Sequence, residues 1–196
     1  NDIEFDQLRK AVRETNGVKN ILESELGSSD LELEGVLFTA QALGSYINLQ
    51  RTNMALVAQL PIVKSMFDWV CEQKPDIAHG TCQIFYASYE AGRPSMLGGN
   101  PEKGKEIFES YIRDNPNNWL ARVAYIQYYI IPMSDEDLYA KQKIALNKFT
   151  KLLKEEVRWT PDPKNRENFS NERLKLYQSI AVKRFKYIKK YEDDLF

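Results

Sequence analysis

Histidine, cysteine and unbalanced charge are what this sequence has least of. Its 196 residues include one histidine and two cysteines, and 27 Lys+Arg stand against 28 Asp+Glu for a formal net charge of -1. One histidine excludes a multi-histidine metal centre, and any histidine-dependent triad would have to be built around His79. Cys71 and Cys82 are too few for a disulfide-built fold and lack metal-finger spacing. Charge near zero removes the general pull toward DNA, RNA or anionic lipid, so no nucleic-acid partner is expected. Long apolar runs are missing as well. No stretch approaches 18 consecutive apolar residues, which argues against a membrane span, and Asn1-Asp2-Ile3-Glu4 lacks the basic-then-apolar order of a secretion signal.

What remains is ample for a core: 43% hydrophobic and 12% aromatic residues exclude a disordered chain. Apolar residues recur at three and four, strand alternation is absent, and the 9 glycines and 8 prolines cluster between the periodic runs. The expectation is an all-α fold of antiparallel helical pairs, a divergent tetratricopeptide-like bundle or short solenoid. We read residues 1-196 as a single helical-repeat domain: N-terminal helices over 1-51, divergent repeat helices over 52-162 and a C-terminal capping helix over 163-196.

Helix ends are marked by their chemistry. Gly17 and Gly27 read as stops, and Ser29 with Glu32 has the spacing of a capping box that opens a helix to about Arg51. That helix carries Gly35, Ala40, Ala42, Gly44 and Ser45, small residues that predict a crowded neighbourhood. Pro61 predicts a fresh start, Asp76 a cap, and Asn100-Pro101-Glu102 another helix in the order cap, proline, acid. A helix from about Asn118 should stop at Pro132. If a hairpin turns near Lys74-Pro75, Cys71 and Cys82 sit about one helical turn out of step, which leaves both a bridge and two buried thiols open.

The spacing Gly104, Phe108, Tyr111, Pro116 reproduces the second-helix half of the tetratricopeptide pattern, in which a small residue admits the partner helix and phenylalanine fills the space below. Ala145, Phe149 and Leu152 repeat it, with the proline displaced to Pro161. The first-helix half is weak: Ile84, Ala87 and Ser88 replace the usual Trp, Leu and Gly.

Catalytic constellations are sparse, so no catalytic residue, metal or cofactor is expected. An enzyme would need a cleft gathering His79 with acids such as Glu90. The candidates for ligand or partner contact are Arg93, Tyr128, Tyr129, Trp119 and His79. Arg93, in the loop Gly92 to Gly99, either anchors that loop or binds a carboxylate in two-pronged fashion. Tyr125, Tyr128 and Tyr129 spread around one helix, so not all face the same core, and amphipathic aromatics suit partner surfaces or ligand-lined channels. The last helix sets Leu174, Tyr177, Ala181 and Ile188 in one stripe; Asn168-Phe169-Ser170 matches a glycosylation acceptor that is frequent by chance.

Leu60-Pro61, Ala78-His79-Gly80, the loop Arg93-Pro94 to Leu97-Gly98-Gly99, the run Glu102 to Phe108, and the ending Ala181-Val182-Lys183-Arg184 to Asp194-Leu195-Phe196 together resemble the T-component family of TRAP transporters, in order and spacing over about Thr52 to Phe196. Gly104 departs from the more usual alanine. The resemblance implies a periplasmic, non-enzymatic helical protein with tetratricopeptide-like repeats. It would associate with the substrate-binding subunit of a TRAP transporter, hold a small organic acid or hydrophobic ligand in a pore or cleft, form homo-oligomers, and carry a lipid anchor on its full-length form. The alternative is a generic tetratricopeptide-like scaffold or assembly factor that binds peptides or proteins.

Overall fold

A computed structural model describes residues 3-156 and 172-196, with side chains described outside 149-174. The side chains of Phe149, Leu152 and Leu174, together with Pro161, the connection from Trp159 to Arg166 and the Asn168-Phe169-Ser170 acceptor, therefore lie outside what is described. The fold is all-α, and no strand occurs among the described residues. The helices are α1 (Phe5–Ala11), α2 (Gly17–Glu25), α3 (Asp30–Leu49), α4 (Met54–Val57), α5 (Leu60–Gln73), α6 (Ile77–Gly92), α7 (Pro101–Asp114), α8 (Trp119–Tyr125), α9 (Ile131–Met133), α10 (Glu136–Glu156), α11 (Glu172–Lys190) and α12 (Glu192–Leu195). Contacts divide them into two compact units, Asn1–Ala78 and His79–Phe196.

In the first unit α3 packs chiefly on α5, and α2 joins α5. Leu33, Val36, Leu37 and Ala40 of α3 and Ile62, Val63, Phe67 and Val70 of α5 form the buried layer. The crowding expected around α3 is real on this side: a Cβ built on Gly44 would lie 3.4 Å from Val63 Cγ1. Ser29 caps α3 as its spacing predicts, its hydroxyl accepting from the Glu32 N–H while the Glu32 carboxylate accepts from the Ser29 N–H at 3.2 Å. Pro61 stands in the first turn of α5, where its missing N–H has no helical role. Gly17 opens α2 instead of stopping α1; the left-handed residue is Asn16, and a Cβ at Gly17 would overlap the Ala11 carbonyl. Met54–Gln73 has the length and mean hydropathy, 1.3, to cross a membrane, although it holds no unbroken apolar run of that length. The stretch is broken between α4 and α5 and buries Ile62, Met66 and Trp69 inside its own unit.

The second unit is built around α8. Trp119, Ala121, Val123, Tyr125, Ile126 and Ile130 are fully buried, with α7, α10 and α11 packed about them. At Gly104 a Cβ would meet the Ala87 carbonyl oxygen, the Ala91 N and the Ala91 Cβ, each at 2.7 Å. The α6–α7 crossing is thus too close for the alanine more usual at that position. Asn100 caps α7 by accepting from the Lys103 N–H at 3.0 Å, with Pro101 behind it. The helix begun at Trp119 does not stop at Pro132. It widens into a π turn over Ile126–Ile130, continues through α9, and ends at left-handed Ser134. The widened turn just before the proline lets the helix run through it. On α11, Gln178, Ala181, Phe185 and Ile188 face inward. Neither cysteine is a free thiol: Cys71 and Cys82 are both disulfide-bonded.

Candidate ligand and partner site

The left-handed stretch at the start of α6 organises a polar node in the second unit. Ala78, His79 and Gly80 have φ of 51°, 60° and 77° in succession, a conformation that L side chains resist. Asn118, buried and at the N-cap of α8, holds it. Its Nδ2 donates to the His79 carbonyl at 2.9 Å and to the Tyr111 hydroxyl at 3.1 Å, while its Oδ1 accepts from the Ala121 N–H at 3.0 Å. Both amide hydrogens and the oxygen are therefore used. Gly80 is obligatory, because a Cβ there would overlap the Tyr111 hydroxyl. Gln178, 1% exposed, clamps the other side of the cap, accepting from the Trp119 N–H at 3.2 Å and donating to the Asn117 carbonyl at 2.7 Å.

His79 sits half-buried on this node with its ring stacked on Tyr177, centroids 6.1 Å apart. Burial pushes its imidazole below the ordinary histidine range, so the ring is neutral at pH 7. Nε2 is buried and has no hydrogen-bond partner among the described residues. Glu90, the acid considered beside it, lies about three helical turns along α6. There it accepts from Lys103 Nζ at 3.0 Å and pairs with Arg93 at 3.5 Å.

Arg93 is committed within its loop. One guanidinium nitrogen donates to the Gly98 carbonyl at 2.6 Å and another to the Tyr89 hydroxyl at 3.0 Å, and the group lies 4.2 Å over the Tyr89 ring. A short 3-10 turn over Ser95–Leu97 and left-handed Gly98 bring that carbonyl back to it. Gly99 completes the loop where a Cβ would overlap the Arg93 backbone. The loop-anchoring reading of Arg93 describes these contacts.

The aromatic residues of α8 and its π turn separate by exposure. Tyr125 and Tyr129 are buried, their rings 5.6 Å apart, and Phe108 stacks on Tyr125 at 5.1 Å. Each hydroxyl reaches a carboxylate on α7: Tyr125 donates to Glu109 at 2.9 Å and Tyr129 to Glu102 at 3.2 Å. Burial, then the neighbouring carboxylate, drives the Tyr125 hydroxyl far above the usual phenol range. Trp119 is wholly buried, whereas Tyr128 is partly buried, packed against the core at its edge beside exposed Gln127. The structure brings Tyr129 into the buried column and leaves Tyr128 at its edge; Arg93 and His79 stand apart from it on α6 and its following loop.

Three features escaped the sequence reading. The π turn has no composition signal. The roles of Asn118 and Gln178 follow only from partners far along the chain. The C-terminal Asp-Leu-Phe segment is docked on α10: Phe196 packs on Tyr139 with ring centroids 4.7 Å apart, and Glu192 accepts from the Tyr139 hydroxyl at 2.8 Å and Lys143 at 2.7 Å. These partners hold the Glu192 carboxyl below its ordinary range, Lys143 contributing most. No cluster of three or more His, Cys, Asp or Glu side chains suited to a metal ion occurs among the described residues.

A family model described as TRAP transporter T-component matches residues 3–196, nearly the whole chain. No curated protein matches it.

Proposed function

The chain belongs to the TRAP transporter T-component family, and from that premise we propose that it is a non-enzymatic periplasmic accessory protein that docks on the transporter's substrate-binding subunit. The observation that carries this is the family match over residues 3–196, which takes in both compact units. A lipid anchor on the full-length form and a small organic ligand held by the second unit belong to the same reading. Tyr128 and His79 are its contact residues, both only partly buried; the buried His79 Nε2, unpaired among the described residues, would be reached only by a ligand that enters beside its ring. Trp119 and Tyr129 support them from the core, and Arg93 shapes the neighbouring loop. The α6–α7 pair is read as tetratricopeptide-like, which the small residue at Gly104 supports.

Co-purification with the substrate-binding subunit tests this. Retention of that subunit by the wild type, weakened at least about tenfold in affinity by Tyr128→Ala, is the expected result; a tenfold loss corresponds to about 1.4 kcal/mol. Equal retention by wild type and variant removes Tyr128 from the site, and no retention by either removes the docking role.

A further inference from the structure

Helix α11 turns Gln178, Ala181, Phe185 and Ile188 toward the core of its unit, and its opposite face joins apolar to basic side chains. Leu176, Ile180 and Tyr187 stand within about 40° of one another around the helix. Leu176 is 56% and Tyr187 68% exposed, with Ile180 partly buried between them. The Tyr191 ring, 4.9 Å from that of Tyr187, prolongs the line. Exposed Lys183, Lys186 and Lys190 border it on one side and exposed Arg184 on the other. From Leu176 to Lys190 the row is about 21 Å long at 1.5 Å per residue.

The charge on this face is local and uncompensated. A net charge of -1 removes a pull exerted by the chain as a whole, yet Lys175 to Tyr191 contains six basic residues and no acid. Lys189 donates to Asn147 at 3.3 Å, whereas Lys183, Arg184 and Lys186 have no hydrogen bond or ion pair among the described residues. Lys190 lies 5.0 Å over the Tyr191 ring. The acids that follow are on α12, and Glu192 is engaged there by Tyr139 and Lys143 of α10. Helix-end electrostatics accounts for Lys189 and Lys190, which stand in the last turn, but fades before it reaches Lys183, Arg184 and Lys186. Like charges three and four apart destabilise the helix that bears them, so the row Lys183, Lys186, Lys190 weakens α11 unless an anion lies outside it.

The chemistry of the row selects the anion. Three of the four bordering cations are lysines, hydrated point charges on flexible stems, which suit diffuse negative charge better than one fixed carboxylate. The ridge of a helix is convex, so it meets a plane of charge more readily than it encloses a small ion. Tyrosine with leucine between lysines is the composition of helices that lie in a bilayer interface, where the ring sits at headgroup level and the lysine heads stay in water. We propose that the outer face of α11 is a peripheral contact for an anionic phospholipid surface, with Lys183, Arg184, Lys186 and Lys190 on the headgroup phosphates and Leu176, Tyr187 and Tyr191 at the interface. The inference does not rest on the transporter reading, and its assay needs no transporter subunit.

The test is co-sedimentation of the 196-residue chain with vesicles of phosphatidylcholine containing about 30% phosphatidylglycerol, compared with phosphatidylcholine alone. Each basic residue near an anionic leaflet strengthens partitioning about fivefold, so half-binding is expected at about 1 mM lipid or below on the anionic vesicles and not on the neutral ones. Binding should vanish between about 0.1 M and about 1 M salt. The triple variant Lys183→Gln, Lys186→Gln, Lys190→Gln should lose about a hundredfold with its circular dichroism unchanged, because all three side chains are exposed. A control of equal charge, Lys10→Gln, Arg13→Gln, Arg51→Gln in the first unit, should bind as the wild type does. Tyr187→Ala should weaken vesicle binding severalfold. Wild type that leaves anionic vesicles unbound at about 10 mM lipid, a control that loses as much as the α11 variant, or equal binding to neutral vesicles would overturn the proposal. Tighter binding to polyglutamate or to a short DNA duplex than to the vesicles, indifferent to Tyr187→Ala, would also overturn it, by giving the row to an acidic polymer.

Discussion

Gly104→Ala and Gly35→Ala make the same chemical change inside two helices and should move stability in opposite directions. Alanine is favoured over glycine in a helix interior by about 1 kcal/mol, and that gain applies at both positions. At Gly35 the added methyl meets nothing within 4 Å, so the gain is realised: stability should rise by about 0.5–1 kcal/mol when measured at low micromolar protein. At Gly104 the methyl would stand 2.7 Å from the Ala87 carbonyl oxygen, the Ala91 N and the Ala91 Cβ. None of these atoms can rotate away, so α6 and α7 must separate. Overpacking of this kind costs about 1–3 kcal/mol and more when backbone moves, which exceeds the propensity gain. The net expectation is a loss of about 1–2 kcal/mol, or a fall of roughly 2–8 °C in Tm. Thermal and urea unfolding followed by circular dichroism read both variants. A Gly104→Ala protein as stable as the wild type would refute the close crossing, and with it the physical reason for a small residue in the tetratricopeptide-like register.

His79 is the only histidine, and burial holds its pKa below the unfolded value of about 6.5. Its contribution to stability is thus fully present above about pH 6.5 and is lost as pH falls from there through the depressed folded value, so His79→Asn, which tolerates the left-handed backbone, should flatten the stability curve below about pH 6.5; superimposable curves would contradict this. Asn118→Ala removes a helix cap and two donated hydrogen bonds at a buried position, and should cost about 2–4 kcal/mol in urea unfolding, against less than about 0.5 kcal/mol for a change at exposed Gln127. Arg93→Lys loses the forked contact to Gly98 and Tyr89, so amide exchange over residues 95-99 should quicken while the Tm shifts little; unchanged exchange would deny the anchoring role.

The legible part of the fold was the part set by local chemistry. Ser29 with Glu32, Asn100 with Pro101, and Pro61 define helix starts through atoms within one turn of each other, so their spacing alone specifies the geometry. Gly17 and Pro132 misled because each has a second local solution. Asn16 takes the left-handed conformation in place of the glycine, and the π turn over Ile126–Ile130 carries the helix past the proline. The small residues of α3 were read as one crowded surface, whereas Gly44 faces α5 and Gly35 faces open space, a division that only the packing reveals. At the site, the separation of Tyr128 from Tyr129 depends on α7 lying against α8, with Glu102 and Glu109 placed to receive the buried hydroxyls. The Gln178 clamp joins residues about sixty positions apart and leaves no local pattern.

The central claim is docking on the substrate-binding subunit of a TRAP transporter, and calorimetric titration of that subunit into this protein tests it most directly. The account predicts saturable binding with a stoichiometry fixed per chain, weakened by Tyr128→Ala in a variant whose unfolding curve matches the wild type. Absence of heat and of saturation at partner concentrations up to about 1 mM, where binding is worth only about 4 kcal/mol, would contradict it.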